Sequence, residues 1–217
     1  MTFSIVAKCE RTGQFGMAVT SSSVCVASRC AWTRAGVGVI ATQNLTDPRL
    51  GPIGLDLLAQ GRSAQQVLDM LVAGDPGQAH RQLQVLDASG TVAQHTGASA
   101  LPTVASAVGR QCAAAGNLLA NTGVPQAMVN AFEATEVQPL AARLLAALQA
   151  GLEQGGEVRV LRSAGLQVVD TQNWPVVDLR IDDQPQTLDA LAQLWGVYQP
   201  LMAGYVSRAT APHLAVV

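Results

Sequence analysis

The chain has 217 residues, of which 49% are hydrophobic, only 13% are charged, and the formal net charge is −2. This length fits one large domain or two small ones, and the low charged fraction predicts a large core with segments buried on more than one face. The near-neutral balance gives no electrostatic basis for binding nucleic acid, and no segment approaches the ~20 uninterrupted apolar residues of a membrane helix.

The first half of the chain begins with predicted strands and continues with helices. Hydrophobic alternation and one nearly continuous apolar run predict strands over residues 2–9, 15–20 and 36–43. A polar loop is predicted from Ser21 past Trp32. Two short helices follow, over residues 53–60 and from Ser63, where Ser63 and Gln66 fit a capping box.

The second half alternates between strands and helices. Strands are predicted over residues 83–87, 91–95, 113–115, 164–169 and 176–181. Pro125 suits the first turn of one helix, and a leucine stripe from Leu140 to Leu152 marks another. A last helix is predicted from about Gln186 to Tyr198. The element order predicts an α+β fold with stacked antiparallel sheets covered by helices, as one domain over 1–200 with a tail or packing extension over 201–217.

Thr2 is the most suggestive residue for chemistry. A small residue after the initiator methionine normally allows Met1 to be removed, which would leave Thr2 with a free α-amine beside its own hydroxyl. An α-amine titrates near ~7.7–8.0, so it can accept the hydroxyl proton and create a nucleophile without a histidine. The competing interpretation is that threonine is simply a common second residue.

The cysteines and histidines do not indicate a metal site. Their spacing matches no zinc motif, so we expect free thiols, no metal and no cofactor. The cysteines are Cys9, Cys25, Cys30 and Cys112, and the histidines are His80, His95 and His213. Charged residues occupy the place of a signal peptide's apolar run, which predicts a cytoplasmic protein.

Several short segments, in unbroken order from Thr2 to about Tyr198, resemble one family. They are residues 2–7, Arg34 to Gly38, Ala41 to Gln43, Asp47 to Pro52, Val85 to Asp87, Gly116 to Leu119 and Val177 to Arg180. Together they are similar to an uncharacterised bacterial family of unknown function within the Ntn-hydrolase (N-terminal nucleophile) superfamily. The resemblance implies a four-layer αββα sandwich, with two stacked, mainly antiparallel sheets flanked by helices. Relatives in the superfamily mostly hydrolyse C–N amide bonds with an N-terminal Thr, Ser or Cys.

If Thr2 is the nucleophile, polar residues at predicted strand ends are candidates for further roles, and for Asn117 the resemblance favours such a role. Asn117 is expected to donate to the oxyanion formed during attack, although a Gly-Asn pair is also ordinary turn chemistry. Ser21 is expected to bind the Thr2 amine or relay its proton, although a solvated loop explains it equally well. The residues expected to contact substrate are Ser22, Ser23, Gln43, Asn44, Arg162 and Ser163. Many family members carry a lysine where this chain has Ser22.

Three functional interpretations follow. The first is an amidohydrolase that cleaves a C–N amide bond of a small molecule with Thr2 as nucleophile. The second is a non-catalytic protein of the same fold that binds a ligand or partner. The third moves the nucleophile to Ser21, Ser22 or Ser23. A small-molecule substrate, no nucleic acid, no membrane and a homo-oligomer are expected, the last because the helices are alanine-rich and few charges are available for the surface.

Overall fold

Strands form where apolar residues alternate or run continuously. The structure is a computed structural model that describes residues 2–214. Within these residues the strands are β1 (Thr2–Lys8), β2 (Phe15–Ser21), β3 (Ala31–Arg34), β4 (Gly38–Asn44), β5 (Arg81–Asp87), β6 (Val92–Thr96), β7 (Ala105–Gly109), β8 (Cys112–Asn117), β9 (Ser163–Val169) and β10 (Val177–Ile181).

Helices form where the apolar period changes to that of a helix. They are α1 (Ala27–Cys30), α2 (Leu50–Ala59), α3 (Ala64–Gly74), α4 (Val124–Ala134), α5 (Leu140–Glu153) and α6 (Thr187–Thr210). The predicted capping box at the start of α3 is confirmed, because Ser63 accepts from the Gln66 N–H and Gln66 accepts from the Ser63 N–H. None of the helices within residues 2–214 has the length and apolar character needed to cross a membrane.

The strands form two antiparallel sheets. Sheet A has six strands in the order β10-β9-β2-β1-β8-β7, and sheet B has four in the order β3-β4-β5-β6. β1 therefore lies in the interior of sheet A, hydrogen-bonded to β2 on one side and β8 on the other. Residues Thr2 to Ala7 of β1 are therefore paired on both edges.

Three apolar clusters hold four layers together. On β1, Phe3 and Ile5 face a cluster that also contains α4 and α5, whereas Val6 faces the space between the sheets. α2 and α3 cover the outer face of sheet B. Because strand residues alternate between faces, the even-numbered residues of β1, including Thr2 and Ser4, point toward sheet B. The predicted α+β fold with two stacked antiparallel sheets is confirmed.

Several predicted boundaries differ from the structure. The segment after Ser21, predicted as a loop, contains α1 and β3, and the edge strand β7 was not predicted. These elements are short or built from small residues, so they carry little periodicity. α6 continues through Pro200 to Thr210, so the predicted tail begins inside a helix, where Met202 and Val206 pack against the core.

Candidate active site

Four polar residues form one row across sheet A at the end where β1 begins. Thr2 pairs with Asn117 of β8 on one side and with Ser21 of β2 on the other, and Ser21 pairs in turn with Ser163 of β9. All four are buried, with Thr2 only 5% exposed. Antiparallel register places the four side chains on the same face of the sheet, toward sheet B. The structure thus brings together Thr2, Ser21 and Asn117, the three residues predicted to be catalytic.

Hydroxyl groups link the central part of this row. Thr2 Oγ1 donates to Ser21 Oγ at 3.3 Å, and Ser21 Oγ also accepts from the Ser23 N–H at 3.0 Å. The Ser21 carbonyl accepts from the Arg162 N–H at 2.8 Å. Ser21 is therefore held by its backbone and its side chain, with its hydroxyl directed at Thr2.

Asn117 is held by a glutamine of sheet B. Its Nδ2 donates to Gln82 Oε1 at 3.0 Å, and Gln82 Nε2 donates to the Gly116 carbonyl at 3.0 Å. Asn117 Oδ1, also buried, has no hydrogen-bond partner among the described residues. Buried polar atoms are normally paired, so this oxygen is an acceptor available to a group that approaches the row. Asn117 itself is the last residue of β8 rather than part of the loop where it was predicted.

A backbone turn ends β8 directly after Asn117. Leu118 has a φ of 52°, in the left-handed region that non-glycine residues rarely adopt. Its N–H donates to the Leu101 carbonyl at 3.1 Å. The chain leaves sheet A at this point, which places Asn117 at the rim of the site.

Gln43 and Asn44 close the site from sheet B. Gln43 is buried, accepts from Ser4 Oγ at 2.6 Å and donates to Gln82 at 2.7 Å. Asn44 has a φ of 69°, and its side chain donates to the His80 carbonyl and accepts from the Leu101 N–H. Both amides are engaged in holding the ends of β4 and β5, and their predicted contacts with substrate stay predictions.

The four remaining residues predicted to bind substrate lie on the β2 and β9 side of the row. The Ser163 hydroxyl donates to the Ser23 carbonyl and accepts from the Val26 N–H at 3.0 Å. Arg162 forms a two-bond ion pair with Asp183, at 2.8 and 2.6 Å, on the surface. The Arg162 guanidinium is thus already paired with a carboxylate of the chain itself. Ser22 is half-buried beside Ser23.

Glu157 is a site residue that sequence reasoning missed. It is 7% exposed, and its Oε2 accepts from the Ser22 N–H at 3.1 Å. Its Oε1 is buried without a partner among residues 2–214. Burial raises the pKa of the Glu157 carboxyl, and the hydrogen bond from Ser22 and the charge of Arg159 act against this rise.

Glu157 also borders a cleft on the outer side of the site. The cleft has a volume of about 310 Å³ and lies between the end of α5, the segment after it and the start of α6. Leu152, Leu161 and Leu188 give it apolar walls, and Arg159 and Asp189 supply charge at its margin. This composition, mostly apolar with a few polar groups, is typical of small-molecule sites.

Comparison with solved structures finds chains of similar fold. The crystal structure of protein SPO2555 from Silicibacter pomeroyi is 32% identical, with a TM-score of 0.85 over 91% of this chain and 89% of that one. Anbu (ancestral beta-subunit) from Yersinia bercovieri covers 94% of this chain and 96% of its own, at 9% identity and a TM-score of 0.39. A comparison with curated proteins finds no match. The family model described as "Family of unknown function (DUF1028)" matches residues 2–191, so the chain belongs to the DUF1028 family.

Proposed function

We propose that this protein is an amidohydrolase of the N-terminal nucleophile type, which cleaves a C–N amide bond of a small molecule with Thr2. The observation that carries the proposal is the row formed by Asn117, Thr2 and Ser21, which places the predicted nucleophile between an amide and a hydroxyl in a buried setting. The proposal requires removal of Met1, because the α-amine of Thr2 is then the base.

The reaction would proceed in two halves. Thr2 Oγ1 attacks the amide carbonyl as its proton moves to the α-amine, and the C–N bond breaks as the leaving amine takes that proton. A water molecule then attacks the resulting ester and gives its proton to the α-amine. The ester bond breaks, the carboxylic acid leaves, and Thr2 Oγ1 regains its proton.

Asn117 and Ser21 have distinct roles in this scheme. The Asn117 amide nitrogen carries two hydrogens, and one of them donates to Gln82. We assign the second to the oxyanion, which needs a donor ~2.7–3.1 Å away. Ser21 orients the Thr2 hydroxyl through the bond at 3.3 Å.

The test is amide hydrolysis by Thr2 variants that begin directly at residue 2. We expect Thr2→Ala to reduce the release of free amine from a panel of N-acyl amino acids by roughly 10³-fold or more, and Thr2→Ser to retain part of the activity. Thr12→Ala, in the exposed turn between β1 and β2, is the matched control and should leave the rate unchanged. Full activity in the folded Thr2→Ala protein would exclude Thr2 as nucleophile.

Two further measurements separate the other interpretations. Intact mass reports whether Met1 is removed. Activity that persists with Met1 retained and disappears in Ser21→Ala would favour a serine nucleophile. Among residues 2–214, Asn117 Oδ1 and Glu157 Oε1 are buried without a partner, which favours the second candidate, a protein that binds a ligand without chemistry. Its signature would be ligand-induced thermal stabilisation that Thr2→Ala does not alter, together with no turnover.

A further inference from the structure

The carboxylate of Glu157 reaches across the end of sheet A where β1 begins. Its own backbone forms an antiparallel bridge with Leu119, on the continuation of β8. Its Oε2 accepts from the N–H of Ser22, on the continuation of β2. Since β1 lies between β8 and β2, a side chain that starts on one side and bonds on the other crosses the line of β1 at its N-terminal end.

Strand direction puts the backbone nitrogen of Thr2 toward this same end of β1. β1 is antiparallel to both neighbours, with Thr2 opposite Ser21 and Asn117. Moving toward the N-terminus along β1 therefore means moving toward Ser22 on β2 and toward Leu118 on β8. The backbone nitrogen of Thr2 therefore lies on the side of that residue nearer to Ser22, whose N–H donates to the Glu157 carboxylate.

One oxygen of this carboxylate is available. Oε1 is buried and has no partner among residues 2–214, whereas Oε2 is occupied by Ser22. Burying a carboxylate oxygen without a partner costs free energy, and a hydrogen bond from a nearby ammonium group removes that cost. The charged groups around Glu157 are Arg159 on its own segment and Asp189 of α6, both on the margin of the adjoining cleft.

We propose that Glu157 is a positioning residue that binds the Thr2 α-amine and directs its lone pair toward Thr2 Oγ1. This inference rests on the proposed function. An N–H of the amine donates to Oε1, both when the amine is neutral and when it is protonated. The neutral amine takes the proton of Thr2 Oγ1 during attack and passes it to the leaving amine, so Glu157 itself exchanges no proton. The carboxylate stabilises the protonated amine and therefore raises its pKa, while the orientation that it gives the neutral amine raises kcat.

The α-amine of Thr2 can be followed without a substrate. Lys8 is the sole lysine of the sequence, so a chain that begins at Thr2 contains two amines only. Removing an N-terminal fusion that leaves no extra residue produces this chain whatever happens to Met1 in cells. Competitive labelling with acetic anhydride across a pH series then gives the pKa of the Thr2 α-amine, with Lys8 as the internal standard.

We expect Glu157→Gln to lower the pKa of the Thr2 α-amine by about one unit, which increases its labelling about tenfold in the acidic part of the series. Glu157→Asp should give an intermediate value, and Lys8 should not change. Glu153→Gln, an exposed carboxylate at the end of α5, is the matched control and should match the wild type. An unchanged α-amine pKa in folded Glu157→Gln would overturn the proposal.

Kinetics separate this proposal from the proposed function. In Glu157→Gln, kcat should fall at least about tenfold while KM stays within about twofold, and the acidic limb of the pH profile should move to lower pH. If Thr2→Ala abolishes hydrolysis but Glu157→Gln leaves both the pH profile and the amine pKa unchanged, Glu157 is structural and the nucleophile stands. If Thr2→Ala retains activity, the proposed function fails, and the pKa measurement still decides the contact between Glu157 and the amine.

Discussion

At the scale of single residues, the site combines one contact that the sequence could predict with one that it could not. A hairpin turn near residues 10–13 makes Ser21 the partner of Thr2, because register follows from turn position. Glu157 reaches Ser22 across 135 positions of sequence. Its only local signal is a carboxylate after two glycines, which predicts an exposed loop residue. The pairing exists only because α5 returns the chain to the end of β8.

Asp87 provides a residue-scale test of stability. Its Oδ2 accepts from the Ala64 N–H at 2.9 Å, at the start of α3, and its Oδ1 accepts from the Ser89 N–H at 2.9 Å. We expect Asp87→Asn to lower the free energy of unfolding at pH 7 by roughly 1–3 kcal/mol, since an amide nitrogen cannot accept from Ala64. Urea denaturation measures the change.

The same substitution has a predictable pH dependence. Burial raises the pKa of Asp87, but hydrogen bonds from Ser89, Ala64 and Thr91 outweigh this and the net pKa is lowered. A lowered carboxyl pKa contributes stability above the unfolded value of about 3.9 and loses it as pH falls through the folded value. The difference in free energy of unfolding between the wild type and Asp87→Asn should therefore become smaller below about pH 4. Asp69→Asn, on the exposed face of α3, serves as control. If Asp87→Asn lowers the free energy of unfolding equally at acidic and neutral pH, the lowered pKa of Asp87 does not contribute to stability.

At the scale of elements, the sequence predicted the helices that have a clear cap or apolar stripe. It missed or shortened the helices that are very short or contain a proline. Ser63, Pro125 and the leucines of α5 mark the helices that they begin or line. α6 runs past its predicted end at about Tyr198 and contains Pro200. Proline removes one backbone donor and crowds the carbonyl of Gly196. Both residues are exposed. The free-energy cost of the proline is therefore small enough for packing of the helix to outweigh it.

The contact between α2 and β3 can be tested through a glycine. A Cβ atom on Gly51 would lie 2.2 Å from Cγ of Trp32, within the indole ring. We expect Gly51→Ala to lower the free energy of unfolding by roughly 1–3 kcal/mol, because either the ring or the helix must move. Thermal and urea denaturation both report this loss.

Gly196 of α6 is the matched control for Gly51. Its Cβ would have no neighbour within 4 Å. Gly196→Ala should therefore stabilise by up to about 0.5–1 kcal/mol through helix propensity alone. Similar effects for the two substitutions would show that the Trp32 contact does not limit the packing of α2.

At the scale of the whole molecule, the two sheets are joined by side-chain amides at one end and by apolar packing at the other. Gln84 of β5 donates to Ser4 Oγ of β1 at 2.8 Å and accepts from Gln94 at 2.9 Å. Val6 and Leu86 continue the same interface without polar atoms. The order of elements predicted two stacked sheets. It did not predict that half of their interface is polar, since the glutamines of β4, β5 and β6 are typical of a sheet face that points to solvent.

This amide network gives the whole-molecule prediction. We expect Gln84→Met, which keeps the length of the side chain, to lower the free energy of unfolding by roughly 1–3 kcal/mol, since Ser4 and Gln94 each lose a buried partner. Gln65→Met, on the exposed face of α3, should change it by less than about 0.5 kcal/mol. Chemical denaturation of both variants makes the comparison, and equal values would mean that the network adds nothing to the packing between the sheets.

The interior position of β1 has a consequence for maturation. β1 is paired on one side with β2, but its other partner β8 is complete only at Asn117. At ~5–20 residues per second, a ribosome needs on the order of ten seconds to reach that residue. An aminopeptidase must reach the bond before Thr2, which is buried once the sheet is complete. If Thr2 is the nucleophile, as proposed, Met1 is then removed most readily while the chain is still being synthesised, and the timing of translation influences the fraction of active molecules.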